Sequence, residues 1–87
     1  MRMRDEVLAR MREYPDWLPQ EALHRWRSTP DDGGHTHCEN CRGTIYIDDP
    51  VVGTYLEFVS VVFCRVCVSE NRSLLWDWMG CDPLADQ

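Results

Sequence analysis

The sequence contains no lysine, and all nine of its basic residues are arginine. It also lacks a long apolar run, because its most apolar stretch, residues 55–67, is interrupted by Glu57, Ser60 and Arg65. A helix needs about 20 mostly apolar residues to cross a bilayer, so no transmembrane segment is expected. The charged N-terminus is not followed by an apolar segment, so no secretory signal is expected either. These absences predict a cytoplasmic protein without a membrane partner.

The residue patterns of common catalytic sites are missing as well. There is no Ser-His-Asp arrangement, no Gly-rich phosphate loop and no His-Glu-x-x-His pattern, and we expect that the protein is not an enzyme. The length of 87 residues allows one compact domain with a thin core. Chains of this size often gain stability from a bound metal or from disulfides.

The net charge of −6 is divided unevenly along the chain. Residues 1–29 carry six arginines and five acidic residues, whereas residues 30–87 carry three arginines and ten acidic residues. The boundary sequence, Ser-Thr-Pro-Asp-Asp-Gly-Gly over residues 28–34, is typical of turns. We therefore predict an N-terminal helical arm (residues 1–29), a linker (residues 30–37) and a C-terminal module (residues 38–87).

Two stripes of apolar residues with helical spacing predict two short helices in the arm. The first stripe consists of Met3, Val7, Met11 and Tyr14, and the second consists of Leu18, Ala22 and Trp26. Pro15 ends the first helix, because the residue before a proline is pushed out of the α region. A core this small needs most of its apolar residues, so we expect both stripes to pack on the C-terminal module.

Four of the five cysteines form two Cys-x-x-Cys pairs, namely Cys38 with Cys41 and Cys64 with Cys67. Each pair presents two sulfurs to one ion, and two pairs complete a tetrahedral shell. Thiolates select Zn²⁺ or iron over hard cations. We predict one Zn²⁺ per chain in a structural site, since four protein ligands leave no position for a substrate. Iron, as in a rubredoxin-like electron carrier, is the alternative.

Other chemically active residues lie near these pairs. Cys81 is expected to be a buried thiol at a helix end, with an intermolecular contact or an alternative metal ligand as the other possibilities. His35 and His37 could each replace a cysteine ligand, but four cysteines already complete the shell, so we place both in the linker. A thioredoxin-like redox site at Cys64 and Cys67 would need more chain than the 20 residues that follow.

The segment between the two cysteine pairs predicts a β-hairpin. Its strands are residues 44–47 and residues 55–63, and its turn covers residues 48–53. Both faces of the second strand are partly apolar, so we expect the arm to cover one of them.

A helix is predicted to follow the hairpin. Cys64 should lie just before this helix and Cys67 in its first turn, so that helical N–H groups donate to the thiolates. Gly80 should end the helix as a left-handed cap. Trp76 lies off the apolar stripe and could be exposed as a binding anchor.

The order of a cysteine knuckle, a hairpin and a helix that opens with the last two ligands resembles the treble-clef zinc finger superfamily, which includes GATA-type fingers and LIM modules. The matching residues are Cys38-Glu39-Asn40-Cys41-Arg42-Gly43 and Phe63-Cys64-Arg65-Val66-Cys67. The resemblance implies an α+β fold, here a small zinc-bound treble-clef-like finger preceded by a two-helix arm. In a zinc ribbon, a strand would follow the second pair. Unlike a GATA-type finger, this chain has no basic stretch around or after the helix.

The charge distribution favours a protein partner over nucleic acid. The C-terminal part carries three arginines against ten acidic residues, and a zinc ion with four thiolates adds about −2. Binding to phosphates depends on basic residues, so a nucleic-acid-binding finger would have to use the Arg-bearing arm. We therefore expect a protein–protein interaction module or regulator, with transcription as one candidate process. The charged residues that could meet a partner are Arg2, Arg4, Arg10, Arg12, Asp31, Asp32, Asp48 and Asp49.

Overall fold

The computed structural model describes residues 1–13, 22–27, 33–55 and 60–85. Within these ranges the chain forms a small mixed fold of helices and antiparallel strands. The elements in chain order are helix α1 (Asp5–Glu13), strands β1 (His24–Arg25), β2 (His35–His37), β3 (Thr44–Tyr46), β4 (Pro50–Tyr55) and β5 (Ser60–Cys64), and helices α2 (Arg65–Glu70) and α3 (Arg72–Met79).

The strands form two sheets. In the larger sheet β4 lies between β1 and β5, and Val52 is opposite Phe63. The smaller sheet pairs β2 with β3, and its turn carries the first cysteine pair. Residues 35–37 lie within the predicted linker but form β2, because Thr36 pairs with Ile45, whose side chain is fully buried.

The predicted pairing of residues 44–47 with residues 55–63 is wrong. β3 pairs instead with β2, and β5 pairs with β4. Part of the predicted turn belongs to β4, because Val51 and Val52 are β-branched and fully buried there. Pro50 is compatible with this strand since it is the first residue. The connection between β4 and β5 lies outside the described residues.

The second predicted helix is wrong over residues 22–27, where no helix forms and His24–Arg25 form β1. The N–H of Trp26 donates to the carbonyl of Asp49 at 2.9 Å, and its carbonyl accepts from the N–H of Asp48 at 2.9 Å. These partners come from a distant part of the chain, so tertiary pairing overrides the helical spacing. The rest of that predicted helix lies outside the described residues, as does Tyr14.

One cluster of buried apolar residues joins the predicted arm to the C-terminal part of the chain. The expectation that the first stripe packs on this part is confirmed, and three successive residues of β5 are buried, so both faces of that strand are covered. The main members of the cluster are Met3, Val7, Met11, Leu23, Trp26, Ile45, Val51, Val52, Val61, Val62, Phe63, Val68 and Leu75.

The helical C-terminal region is confirmed, but it consists of two helices. Cys64 is the N-cap of α2 and Cys67 lies in its first turn, as predicted. Asn71 separates α2 from α3, and Gly80 ends α3 in a left-handed conformation with φ of 77°. Trp76 is exposed on α3, as expected. In the described part of the chain, no helix combines the length and the apolar character that a membrane span requires.

Candidate metal centre

The cysteines of the two Cys-x-x-Cys pairs lie together at one place. Cys38 and Cys41 come from the turn between β2 and β3, Cys64 ends β5, and Cys67 lies in α2. Their four Sγ atoms are all within 4.8 Å of one another, and those of Cys41 and Cys64 are 3.7 Å apart. Sulfurs around a tetrahedral zinc ion, with Zn–S distances near ~2.3 Å, are about 3.8 Å apart. The cluster could therefore hold one metal ion.

Backbone hydrogen bonds close the first cysteine turn (residues 38–43). The N–H of Cys38 donates to the carbonyl of Gly43 at 2.8 Å, and the N–H of Arg42 donates to the carbonyl of Cys38 at 2.9 Å. Arg42 has a left-handed φ of 66°, which is uncommon for a residue other than glycine. A Cβ atom on Gly43 would lie 3.3 Å from the Sγ of Cys41, so glycine leaves room for this sulfur.

Backbone N–H groups also point at the sulfurs. The N–H groups of Cys41 and Cys64 lie 3.5 and 3.4 Å from the Sγ of Cys38, and the N–H of Gly43 lies 3.4 Å from the Sγ of Cys41. In the first turn of α2, the backbone of Cys67 acts to lower the pKa of the Cys64 thiol, although burial outweighs it. The donation from helical N–H groups to the thiolates stays a prediction. Such donors stabilise thiolate charge and orient metal ligands.

Burial and hydrogen bonding shift the pKa values of the cysteines in different directions. Burial raises the pKa of Cys67 to about 12, although a hydrogen bond from Asn40 acts to lower it. Burial also raises the pKa of Cys64. Burial acts to raise the pKa of Cys41 too, but hydrogen bonds from Gly43 and from neighbouring thiols outweigh it, so that this pKa is lowered. A metal ion must therefore displace protons from Cys64 and Cys67, because it binds thiolates.

The side chain of Asn40 contributes to the site in a way that the sequence analysis missed. Asn40 lies inside the first cysteine turn and is only 1% exposed. Its Nδ2 donates to the Sγ of Cys67 at 3.4 Å, which connects the first turn to the second cysteine pair. The sequence carries no clear signal of this role, since asparagine is common in exposed turns.

His35, His37 and Cys81 do not belong to the cysteine cluster. Among the described residues, the four clustered cysteines are the one group of three or more Cys, His, Asp or Glu side chains that could share an ion. His35 and His37 are exposed on β2, with ring centroids 5.5 Å apart in an edge-to-face contact. Cys81 is exposed, so its predicted burial is wrong. It directly follows the left-handed cap at Gly80, beyond the end of α3.

Two of the arginines that we expected to meet a partner form contacts within the chain. Arg4 donates to two carbonyls of the first cysteine turn at 2.6 and 2.8 Å. Arg10 donates to the carboxylate of Glu39 at 2.9 Å. Arg2 and Arg12 are exposed, so these two side chains lie on the surface of the protein.

The structure describes two of the four acidic residues that we expected to meet a partner. Asp48 is exposed and has a left-handed φ of 71°. Asp49 is half-buried, and its carboxylate accepts a hydrogen bond from the N–H of Tyr46 at 2.9 Å. Asp31 and Asp32 lie outside the described residues, so Asp48 is the clearest acidic surface group of this set.

No family model matches the chain, and neither a curated protein nor a solved structure is significantly similar to it.

Proposed function

We propose that the protein is a small zinc-binding protein whose metal centre is structural and whose surface binds another protein. The observation that carries this proposal is the cluster of four Sγ atoms, all within 4.8 Å of one another. Four thiolates satisfy a tetrahedral zinc ion and leave no position for a substrate. The binding energy of such an ion becomes folding energy, which a thin core needs.

The order of elements around the cluster supports a treble-clef-like architecture. The first cysteine turn joins the paired strands β2 and β3, and the β4–β5 hairpin follows it. Helix α2 then starts directly after Cys64 and contains Cys67. This is the order of knuckle, hairpin and helix that the superfamily shares, and we propose that zinc holds the knuckle and the helix together here.

An exposed aromatic residue supports the proposed interaction role. Trp76 is 47% exposed on α3, and the guanidinium of Arg72 lies 5.7 Å from the centre of its ring. Tryptophan and arginine are enriched at the energetic centres of protein interfaces. The other exposed large hydrophobic residues among those described are Met1, Tyr46, Ile47, Val66 and Leu74. We propose that a protein partner packs on Trp76, and that the complex serves a regulatory process, with transcription as a candidate.

A nucleic-acid-binding finger is the second candidate function. The exposed Arg2 and Arg12 favour it, since phosphate contacts are made by basic residues. The net charge of −6 opposes it. A rubredoxin-like carrier would use the same four sulfurs with iron in place of zinc.

Metal analysis of the protein purified under reducing conditions separates the metal alternatives. We expect one zinc ion per chain by elemental analysis, with no visible absorption. Iron together with a strong visible absorption spectrum would instead favour the electron carrier.

Two binding assays test the interaction role. In gel shifts with random DNA and RNA at low salt, we expect no complex, and tight binding that weakens steeply with salt would favour the nucleic-acid alternative. In affinity capture from the native host, a specific protein should be recovered with the wild type and lost with Trp76→Ala. The Val66→Ala variant, which also shortens an exposed apolar side chain, is the matched control.

A further inference from the structure

Two asparagines, Asn40 and Asn71, are the buried polar residues in the described part of the chain, with exposures of 1% and 8%. Asn40 lies in the first cysteine turn, and Asn71 separates α2 from α3. A buried side-chain amide lowers stability unless its donor and acceptor are paired. The partners of these two amides therefore indicate what holds them in place.

The amide of Asn40 binds the backbone of the N-terminal segment (residues 1–4). Its Oδ1 accepts a hydrogen bond from the N–H of Arg4 at 2.8 Å, and its Nδ2 donates to the carbonyl of Arg2 at 3.2 Å. Neighbouring strands of a parallel sheet exchange the same pair of bonds, with the N–H and the carbonyl of residues two positions apart. The side chain of Asn40 therefore takes the place of a neighbouring strand.

Asn71 binds the same segment one residue earlier. Its Oδ1 accepts from the N–H of Met3 at 2.8 Å, and its Nδ2 donates to the carbonyl of Met1 at 2.9 Å. In an extended chain, the backbone N–H and carbonyl of one residue point to one edge, and those of the next residue point to the opposite edge. The two asparagines therefore bind the two edges of the N-terminal segment.

Both amides also contact Cys67. The Nδ2 of Asn40 lies 3.4 Å from its Sγ, and the Nδ2 of Asn71 donates to its carbonyl at 2.8 Å. Arg4 adds side-chain bonds to the carbonyls of Asn40 and Glu39 at 2.6 and 2.8 Å. The N-terminal segment thus binds the groups that orient one candidate metal ligand.

We propose that the N-terminal segment is an outer shell of the metal centre. Its docking on Asn40 and Asn71 and the binding of the metal ion at the four cysteines strengthen each other. A bound ion holds the first cysteine turn against α2, and this places both asparagines at the correct separation. A docked segment in turn satisfies their amides and fixes the donor to Cys67. Coupling of this kind is reciprocal, so loss of the metal should release the segment together with α1. The inference rests on the proposed function only in requiring a metal ion at the four cysteines.

The test compares Arg4→Met with Arg12→Met in the zinc-loaded protein. Arg12 is exposed on α1, so its substitution makes the same change of charge without touching the cysteine turn. Zinc affinity is measured by competition with a chelator, and docking is measured by hydrogen exchange of the amides of residues 3 and 4. Exchange of the Val52 and Phe63 amides in the β4–β5 hairpin reports whether the fold is retained.

We expect Arg4→Met to weaken zinc binding about tenfold, as is common for residues that support metal ligands, and to speed exchange at residues 3 and 4. Arg12→Met should stay within about twofold of the wild type in both measurements. Asn71→Ala, which removes the hydrogen bonds to Met1, Met3 and the Cys67 carbonyl, should act in the same direction as Arg4→Met.

Two results would overturn the proposed coupling. One is faster exchange at residues 3 and 4 in Arg4→Met with unchanged zinc affinity, and the other is no change in exchange at all. Failure of the proposed function has a different signature, because the wild-type chain itself would then contain neither zinc nor iron.

Discussion

The backbone N–H of Cys64 lies 3.4 Å from the Sγ of Cys38 and donates a hydrogen bond to it, although 26 positions separate the two residues. Beside it, the N–H of Glu39 donates to the carbonyl of Val62 at 2.8 Å. The first cysteine turn is therefore joined to β5 by its main chain. Main-chain pairing places the two cysteine pairs next to each other, and a shared ion would complete the connection.

Cys38→Ser should abolish zinc binding and the cooperative thermal unfolding transition, because the ion contributes folding energy. Cys81→Ser is the matched control, since Cys81 is exposed and lies outside the cluster. This variant should keep one zinc per chain and an unchanged transition. Elemental analysis and circular dichroism on heating provide the measurements, and a loss of zinc in Cys81→Ser would place Cys81 among the ligands.

Zinc affinity should fall as the pH is lowered. Burial raises the pKa of Cys67 to about 12 and also raises the pKa of Cys64, so both are protonated thiols at neutral pH without metal. Zinc binding must release at least these two protons, so the association constant should fall about a hundredfold or more per pH unit. Chelator competition at several pH values between about 6 and 8 measures this slope. An affinity independent of pH would contradict ligation by these thiols.

Gly43→Ala should weaken zinc binding, because the added Cβ would lie 3.3 Å from the Sγ of Cys41 and would press on this ligand. Gly34→Ala is the contrasting variant. Gly34 has a φ of 86° and no heavy atom within 4 Å of an added Cβ, so this change should lower stability by about 1 kcal/mol without altering zinc affinity. Equal zinc affinities in the two variants would contradict the role assigned to Gly43.

Leu75→Ala should lower the free energy of unfolding of the zinc-loaded protein by about 2–4 kcal/mol, because Leu75 is fully buried in the core cluster. The adjacent Leu74 is 37% exposed, and Leu74→Ala should cost less than about 1 kcal/mol. Urea unfolding of both variants gives the comparison. Similar losses for the two leucines would show that the orientation of α3 differs from the one described.

Arg72→Gln should raise the pKa of Asp82. The guanidinium of Arg72 donates to this carboxylate and lowers its pKa below the ordinary value of 3.8. Because the pKa is depressed in the folded state, the pair stabilises the protein at neutral pH, and this contribution is lost as the pH falls below about 4. Arg72 is exposed and Asp82 is half-buried at the surface, and ion pairs at the surface contribute little, so the effect on stability should be small. Carbon-detected NMR titration of Asp82 in both proteins measures the change.

Local patterns in the sequence predicted several parts of the structure. The spacing of Met3, Val7 and Met11 predicted α1 and its buried residues Val7 and Met11, because helical periodicity is a property of neighbouring residues, although Met3 is buried just before the helix begins. The position of Cys67 at the start of a helix and the end of that helical region at Gly80 also follow from local signals. The four clustered cysteines stood out for a similar reason, since two short-range pairs suffice to suggest one ion.

Strand pairing was not predictable in the same way. Pro50, Val51 and Val52 look locally like the end of a turn followed by apolar residues, yet they form the central strand between β1 and β5. Trp26 has helical spacing with its neighbours, but its backbone pairs with the turn that precedes β4. In each case the deciding partners lie far away in the sequence, and their hydrogen bonds outweigh local preference.

The sequence alone determined the four-sulfur chemistry and the apolar stripe of α1, because both depend on spacings of three or four residues. The tertiary structure decided which strands pair and which polar side chains surround the cysteines. Asn40 and Asn71 show the reason, since each binds residues 1–4 and each also contacts Cys67, in its Sγ or its backbone. Contacts of that kind exist only after segments far apart in the sequence have been brought together by the core.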